Sequence, residues 1–170
     1  MVKFGSFNVS GQVFYQTRLS YGLVNLKPLV PGHVLVCPLR VVQRVSSLSS
    51  EEAQDFYMTV QKVSKVIEQY YKADSMNIAI QDGPLAGQSV PHVHCHIIPR
   101  RLKDFDDVDE IYRLLDGKEG DLEYAFKTIK EHRSKMRLGV DADERTPRST
   151  PDMELEAQHL ANFISQNPDL

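Results

Sequence analysis

Tryptophan is absent from this 170-residue sequence, aromatics make up only 8%, and there are two cysteines, Cys37 and Cys95. Two cysteines outside any CxxC pattern are too few for a disulfide framework, so a reducing compartment is expected: the cytoplasm, with the nucleus also open. A basic excess is lacking as well. Lys plus Arg number 20 against 23 for Asp plus Glu, a net charge of -3, which argues against a dedicated nucleic-acid binder. No apolar run approaches the roughly 20 residues that cross a bilayer, so no membrane partner is expected. The stretch from Met1 to Gln16 carries one Lys and is broken by Gly5 and Gly11, so it does not read as a signal peptide. Repeats and low-complexity tracts are missing. What remains is an ordinary globular composition, 41% hydrophobic and 25% charged, at a length suited to one domain with a tail.

Val13–Tyr15 and Tyr21–Asn25 are rich in β-formers. Pro31-Gly32 signals a turn, and His33–Cys37 after it reads as a strand closed by Pro38. The last two strands are expected to pair antiparallel. Ala53, Phe56, Tyr57, Val60, Val63, Ile67 and Tyr70 recur at intervals of three and four, which predicts a helix over 50–72. Ser49 with Glu52 three residues on forms its capping box. Met76–Gln81 and His92–Ile98 read as two further strands, the second stopped by Pro99. Ile111, Leu114 and Leu115 predict a short helix, and Leu122 to Ile129 a weaker one. Residues 131–151 read as a disordered linker. Thr150-Pro151 then starts a helix with an apolar stripe of Leu155, Leu160, Phe163 and Ile164. The fold class is α+β: a mainly antiparallel five-stranded sheet, one long packed helix, and a C-terminal helix after a flexible segment. A domain over 1–112 and a helical extension over 113–170 are expected.

The chemistry concentrates in His92-Val93-His94-Cys95-His96-Ile97-Ile98, which holds three of the six histidines. On a strand, alternate residues share a face, so three imidazoles stand roughly 6–7 Å apart in one row. Val93, Cys95 and Ile97 point into a core, where Cys95 is a buried thiol. His33, beside its turn, is a candidate fourth imidazole. Such a row can hold a metal ion, with Asp82 the nearest candidate for a further group. It can also supply a nucleophile whose neighbours orient it and hold a phosphate. The loop before it, with Gly83 and Gly87, can turn backbone N–H groups toward an anion, and Gln88 and Ser89 add polar groups. Arg100 and Arg101 after the strand could meet a distal phosphate.

The seven-residue stretch resembles the histidine triad signature, His-φ-His-φ-His-φ-φ with φ apolar. The segments LVNLKPLVPGHVLVCPLR and IQDGPLAGQSVPHVHCHIIPR, with Asp109 to Tyr112, look like the fragile histidine triad branch, the dinucleoside polyphosphate hydrolases. This likeness covers about residues 13–112. It implies a two-fold homodimer whose protomers extend the sheet. It also implies a bis(5'-adenosyl)-triphosphatase or related hydrolase. Diadenosine triphosphate would give AMP and ADP, and diadenosine tetraphosphate AMP and ATP, through a covalent AMP-histidine.

By the same resemblance His94 is the nucleophile, His96 a phosphate contact, and His92 and His33 orient and polarise His94. Gln81 and Gln88 contact phosphate, Ser89 and the backbone of Gly87 to Val90 bind phosphate oxygens, and Asn25 binds ribose. Leu23 and Leu35 form the adenine pocket together with residues near Phe4. Tyr112 matches a phosphorylated tyrosine. A divalent cation, magnesium or manganese, is expected on the polyphosphate, with no protein metal site and no organic cofactor. Two other readings remain open. One is phosphoramidate hydrolysis or nucleotidyl transfer, as in other triad branches. The other is a signalling protein whose substrate-bound form is the output.

Overall fold

The computed structural model describes residues 1–116 and 148–170. A two-stranded hairpin, β1 (Lys3–Phe4) and β2 (Phe7–Asn8), precedes a five-stranded sheet. The sheet strands are β3 (Val13–Gln16), β4 (Ser20–Val24), β5 (Val34–Pro38), β6 (Ser75–Ile80) and β7 (Cys95–Arg100). Their order is β3-β4-β5-β7-β6, every neighbouring pair antiparallel. Three helices complete the fold: α1 (Ser50–Tyr71), α2 (Glu110–Asp116) and α3 (Thr150–Gln166). The α+β class and the five-stranded sheet are as expected.

The start of α1 follows from local chemistry. The Ser49 hydroxyl accepts the Glu52 N–H, and the Glu52 carboxylate accepts the Ser49 N–H. Arg40, just past β5, grips both oxygens of Glu52 at 2.6 Å. That bidentate hold pulls the Glu52 carboxyl down to about 2. Phe56, Val60, Val63 and Ile67 are buried, each stabilising by about 1.5–3 kcal/mol. Tyr57, expected on the same stripe, is 49% exposed.

Register assigns the two faces of the sheet. Directly opposed residues share a face, so Gly22, Val34, Val36, Cys95 and Ile97 look one way and Leu23, Leu35, Ala79 and His96 the other. A Cβ on Gly22 would sit 3.4 Å from Val63 of α1, so α1 covers the first face. The histidines are on the second. Val93, Cys95 and Ile97 are buried in the core as expected.

Four sequence expectations shift. The triad strand begins at Cys95, so His92 lies on a bend, its N–H closing on the Val90 carbonyl at 2.7 Å, and His94 lies on the irregular approach to the strand. Pro99 does not stop β7, which runs on to Arg100. The β5 ladder has already ended at Val34↔Ile97, so on that side no bond is lost to the missing N–H. The buried stripe of α3 is Met153, Ala157 and Leu160, and Leu155 faces solvent at 52% exposure. Finally, a boundary at 112/113 falls inside α2, and α3 packs into the same core as the sheet. The expected helix over 122–129 and residues 131–147 of the expected linker lie outside the described residues.

Candidate active site

Four imidazoles gather on the sheet face away from α1, and all are buried: His33, His92, His94 and His96. The backbone groups around them decide where each proton sits. Gly5 N–H donates to His92 Nδ1 at 3.0 Å, so that nitrogen bears no hydrogen. His92 Nε2–H therefore donates to the Pro38 carbonyl at 2.8 Å. His94 Nδ1 lies 2.7 Å from the His92 carbonyl, which can only accept. Its proton is consequently on Nδ1, and Nε2 carries a free lone pair.

His33 and His96 are settled by the same logic. Leu29 N–H donates to His33 Nδ1 at 3.2 Å, which leaves the His33 proton on Nε2. That N–H donates to His96 Nδ1 at 2.9 Å. His96 must then carry its own proton on Nε2, which is buried with no hydrogen-bond partner among the described residues. The Asn25 amide Nδ2 lies 3.2 Å from His33 Nε2 and 3.5 Å from Nδ1. Nearly equidistant from both, it lies across the ring and not along one lone pair. The rings of His94 and His96 meet edge to face, 5.1 Å between centroids.

Burial keeps all four neutral. It pushes His33 down to about 3, helped by the Arg148 charge, and His92 to about 4. It also lowers His94 and, further, His96. A buried neutral imidazole with Nδ1–H tied to a carbonyl is oriented for attack through Nε2. Next to it, the unpaired His96 N–H is a donor that lacks an oxygen. A buried donor of this kind costs about 1–3 kcal/mol until it finds an acceptor. The donor set does not suit a protein-held metal: most ring nitrogens are spent on one another or on the backbone. Among the described residues, no three His, Cys, Asp or Glu are grouped to hold an ion.

The chain belongs to the HIT domain family. The family model matches residues 6–103 and so takes in all four histidines, Asn25, Leu29 and Pro38, leaving Phe4, Gly5 and Arg148 outside. A bis(5'-nucleosyl)-tetraphosphatase (asymmetrical) of Schizosaccharomyces pombe is 45% identical over 98% of this chain and 96% of its own length. A bifunctional bis(5'-adenosyl)-triphosphatase/adenylylsulfatase of Arabidopsis thaliana is 47% identical over 95% of this chain and 83% of its own. Among solved structures, a Plasmodium falciparum diadenosine triphosphate hydrolase in complex with cyclomarin A superposes with a TM-score of 0.71. It is 28% identical and covers 98% of this chain and 85% of that one. These relatives agree with the branch that the motif suggested.

Within this HIT domain the loop before the triad is built on two glycines at positive φ, Gly83 at 111° and Gly87 at 88°. Gln88 N–H closes the loop on the Gly83 carbonyl at 3.1 Å. The Gln88 side chain donates Nε2–H to the Gln43 carbonyl, and its Oε1 is buried without a partner among the described residues. Asp82 is not a site base. It accepts Val45 N–H at 2.8 Å and pairs with Arg44 at 3.2 Å, which fixes the loop at 43–45. Gln81 is buried and donates to Asp116 at 2.9 Å. Ser89 is half-buried and Val90 buried beside Gly5.

Several expected placements change. The His33 ring bonds to His96 and not to His94, and His92 holds His94 with its backbone carbonyl and not with its ring. Leu23 and Leu35 oppose each other on β4 and β5, as an adenine pocket would need, yet both are closed off from solvent. They are core residues here. Phe4 is also fully buried, edge to face with His94 at 5.2 Å and against His92 at 5.7 Å. Arg100 is committed to Asp104 and Asn77, so it is not open to a distal phosphate. Tyr112 is half-exposed, and its hydroxyl accepts from Asn77 at 3.1 Å. Sequence reasoning missed Leu29, Pro38 and Gly5, because they act through backbone groups that carry no residue-type signal. It also missed Arg148, which lies in the segment read as a linker.

Proposed function

We propose that this protein hydrolyses dinucleoside polyphosphates, in particular diadenosine triphosphate and tetraphosphate, by way of an AMP-histidine at His94. The observation that carries the reading is the neutral His94, its Nδ1–H held by the His92 carbonyl, beside an unpaired His96 N–H. His94 Nε2 attacks the α-phosphorus, and the P–O bond to the bridging oxygen breaks. ADP or ATP leaves with that oxygen and its electron pair. The resulting phosphoryl-imidazolium keeps its Nδ1–H on the carbonyl, whose dipole steadies the new positive charge. Water then attacks phosphorus and loses its proton to solvent, the N–P bond returns its electrons to Nε2, and AMP is released. His96 Nε2–H meets a phosphate oxygen throughout, and the Gly87 to Val90 backbone with Ser89 binds others. Gln81 and Gln88 flank the phosphates, and Asn25 takes the ribose.

The substrate would be the polyphosphate with a magnesium or manganese ion, which would offset negative charge on its oxygens. No organic cofactor is called for. The name of the Arabidopsis thaliana relative joins a bis(5'-adenosyl)-triphosphatase with an adenylylsulfatase, two substrates that share an adenylyl group on a good leaving group, which supports attack at the α-phosphorus. The reading includes a homodimer: β6 is an edge strand with Ile78 51% exposed, and Tyr57 and Met58 stand out from α1. It also includes a cytoplasmic or nuclear location and modification of Tyr112, whose exposure supports access.

Product analysis tests the proposal. Parent protein and His94→Ala are each given diadenosine triphosphate, diadenosine tetraphosphate and adenosine phosphoramidate with Mg²⁺. AMP plus ADP, or AMP plus ATP, from the parent alone is expected, and the faster substrate gives the chain-length preference. Turnover of the phosphoramidate alone, or undiminished activity in the variant, overturns it.

A further inference from the structure

Arg148 lies beyond the HIT match, which ends at residue 103, yet it reaches the triad's support. Its Nη2 and Nε donate to the Asn25 carbonyl at 2.5 and 3.2 Å, and its N–H donates to the Leu26 carbonyl at 3.2 Å. Nη1 pairs with Glu156 one face along α3, and Glu156 also accepts the Tyr71 hydroxyl at 2.5 Å. Tyr71 ends α1, and a Cβ on Gly32 would lie 2.7 Å from its ring, just before His33. Asn25 itself accepts Lys27 N–H on Oδ1 and lays its amide across the His33 ring. A continuous set of contacts therefore runs from α1 and α3 through Arg148 and Asn25 to His33, and from His33 to His96.

We propose that Arg148 is a positioning residue for the His33–His96 pair, holding Asn25 against His33 from the start of α3. A guanidinium has the planar fork to clamp one carbonyl and one carboxylate at once, and it never loses its charge. The charge bears on the tautomer. Protonation of His33 would place a hydrogen on Nδ1, against the Leu29 N–H, and undo the arrangement that leaves His96 presenting Nε2–H. A fixed cation nearby opposes that protonation, as the lowered His33 value reflects after the larger effect of burial. The groups that bear on His33 are Arg148, two residues before α3, and His94 and His96 from the triad segment. Glu156 carries the opposite charge and is paired with Arg148.

The proposal rests on the hydrolase reading only for its kinetic readout. The test takes Arg148→Gln, Arg148→Lys and Glu156→Gln through kcat, KM and the acid limb of kcat. Imidazole ¹⁵N spectra at neutral pH are recorded alongside. Arg148→Gln should lower kcat about tenfold with little change in KM. Its acid limb should move up by about half a pH unit or more. Its His33 and His96 signals should report mixed tautomers. Arg148→Lys keeps the charge and loses the fork, so its acid limb stays at the parent position while kcat remains low. Glu156→Gln leaves Arg148 uncompensated, so its limb moves down, opposite in sign. Should Arg148→Gln not fold, the other two variants carry the same test. Acid limbs and tautomers equal to the parent's in all of them, with only thermal stability reduced, overturn the proposal. If the parent shows no turnover the hydrolase reading fails, and the ¹⁵N tautomers alone decide the role of Arg148.

Discussion

His33 Nε2 lies 2.9 Å from His96 Nδ1, and because Leu29 N–H occupies the other nitrogen of His33, the proton between the two rings belongs to His33. One backbone N–H on the turn before β5 thereby sets which nitrogen of a triad histidine, on the neighbouring strand and 63 residues further along the chain, faces a substrate as a donor.

Replacing His33 with Phe removes that lock while keeping a flat ring in place. His96 then loses its Nδ1 partner and distributes its proton over both nitrogens. The expected result is a fall in kcat of about 10–100-fold, the worth of one buried hydrogen bond left unmade. Neutral-pH ¹⁵N spectra should show His96 as a tautomer mixture. A single Nε2–H form in the variant would show that the lock lies elsewhere.

Acid stability follows from the buried rings. The folded-state values of His33 and His92 are lowered to about 3 and 4, whereas an unfolded imidazole titrates near its usual value of 6.5. Between those values the unfolded chain binds more protons. Stability is therefore complete above about pH 6.5 and is lost as pH falls toward the folded values, at about 1.4 kcal/mol per unit per group. By pH 5 the two together remove about 4 kcal/mol. Protonation also breaks a backbone bond at each ring, from Leu29 and from Gly5. Urea midpoints measured at pH 7.5, 6 and 5 should fall steeply across the last interval. A flat series would contradict neutral burial.

Gly87→Ala should be costly. The added Cβ would meet Gln81 Nε2 at 2.3 Å, on a residue with φ of 88°. About 1–3 kcal/mol of strain is expected, along with loss of the Gln81–Asp116 bond. Thermal unfolding and kcat/KM should both decline. A variant as stable and as active as the parent would remove the loop's special geometry from the account.

How much of this was legible beforehand depends on the kind of interaction. The alternation from His92 to Ile98 put the imidazoles on one face and Val93, Cys95 and Ile97 in the core, since pattern alone decides facing. The Ser49–Glu52 box fixed the start of α1 in the same local way. Tautomers were illegible, because Gly5, Leu29 and Pro38 act through main-chain atoms brought in by tertiary folding. Leu23 and Leu35 read as pocket walls, but sequence does not reveal what lies on top of them. Of the α3 stripe, Leu160, Phe163 and Ile164 pack inward as expected, and only Leu155 faces solvent, its place in the first turns taken by Met153 and Ala157, because a helix with few large apolar residues leaves its phase to packing.

Phe4→Ala should uncover the nucleophile. Phe4 is fully buried and edge-on to His94, so truncation costs about 3–5 kcal/mol and opens the face toward solvent. Modification of His94 by diethyl pyrocarbonate should quicken in the variant. An unchanged rate would mean that Phe4 does not cover the ring in solution.

The most direct test of the central claim is a single-turnover reaction of the protein in excess over diadenosine triphosphate, stopped in alkali to preserve an N–P bond and mapped by peptide mass. The account predicts an AMP adduct on the peptide bearing His94, forming and decaying with turnover, and absent from His94→Asn. Turnover without any adduct, or an adduct carried by His96, would contradict it.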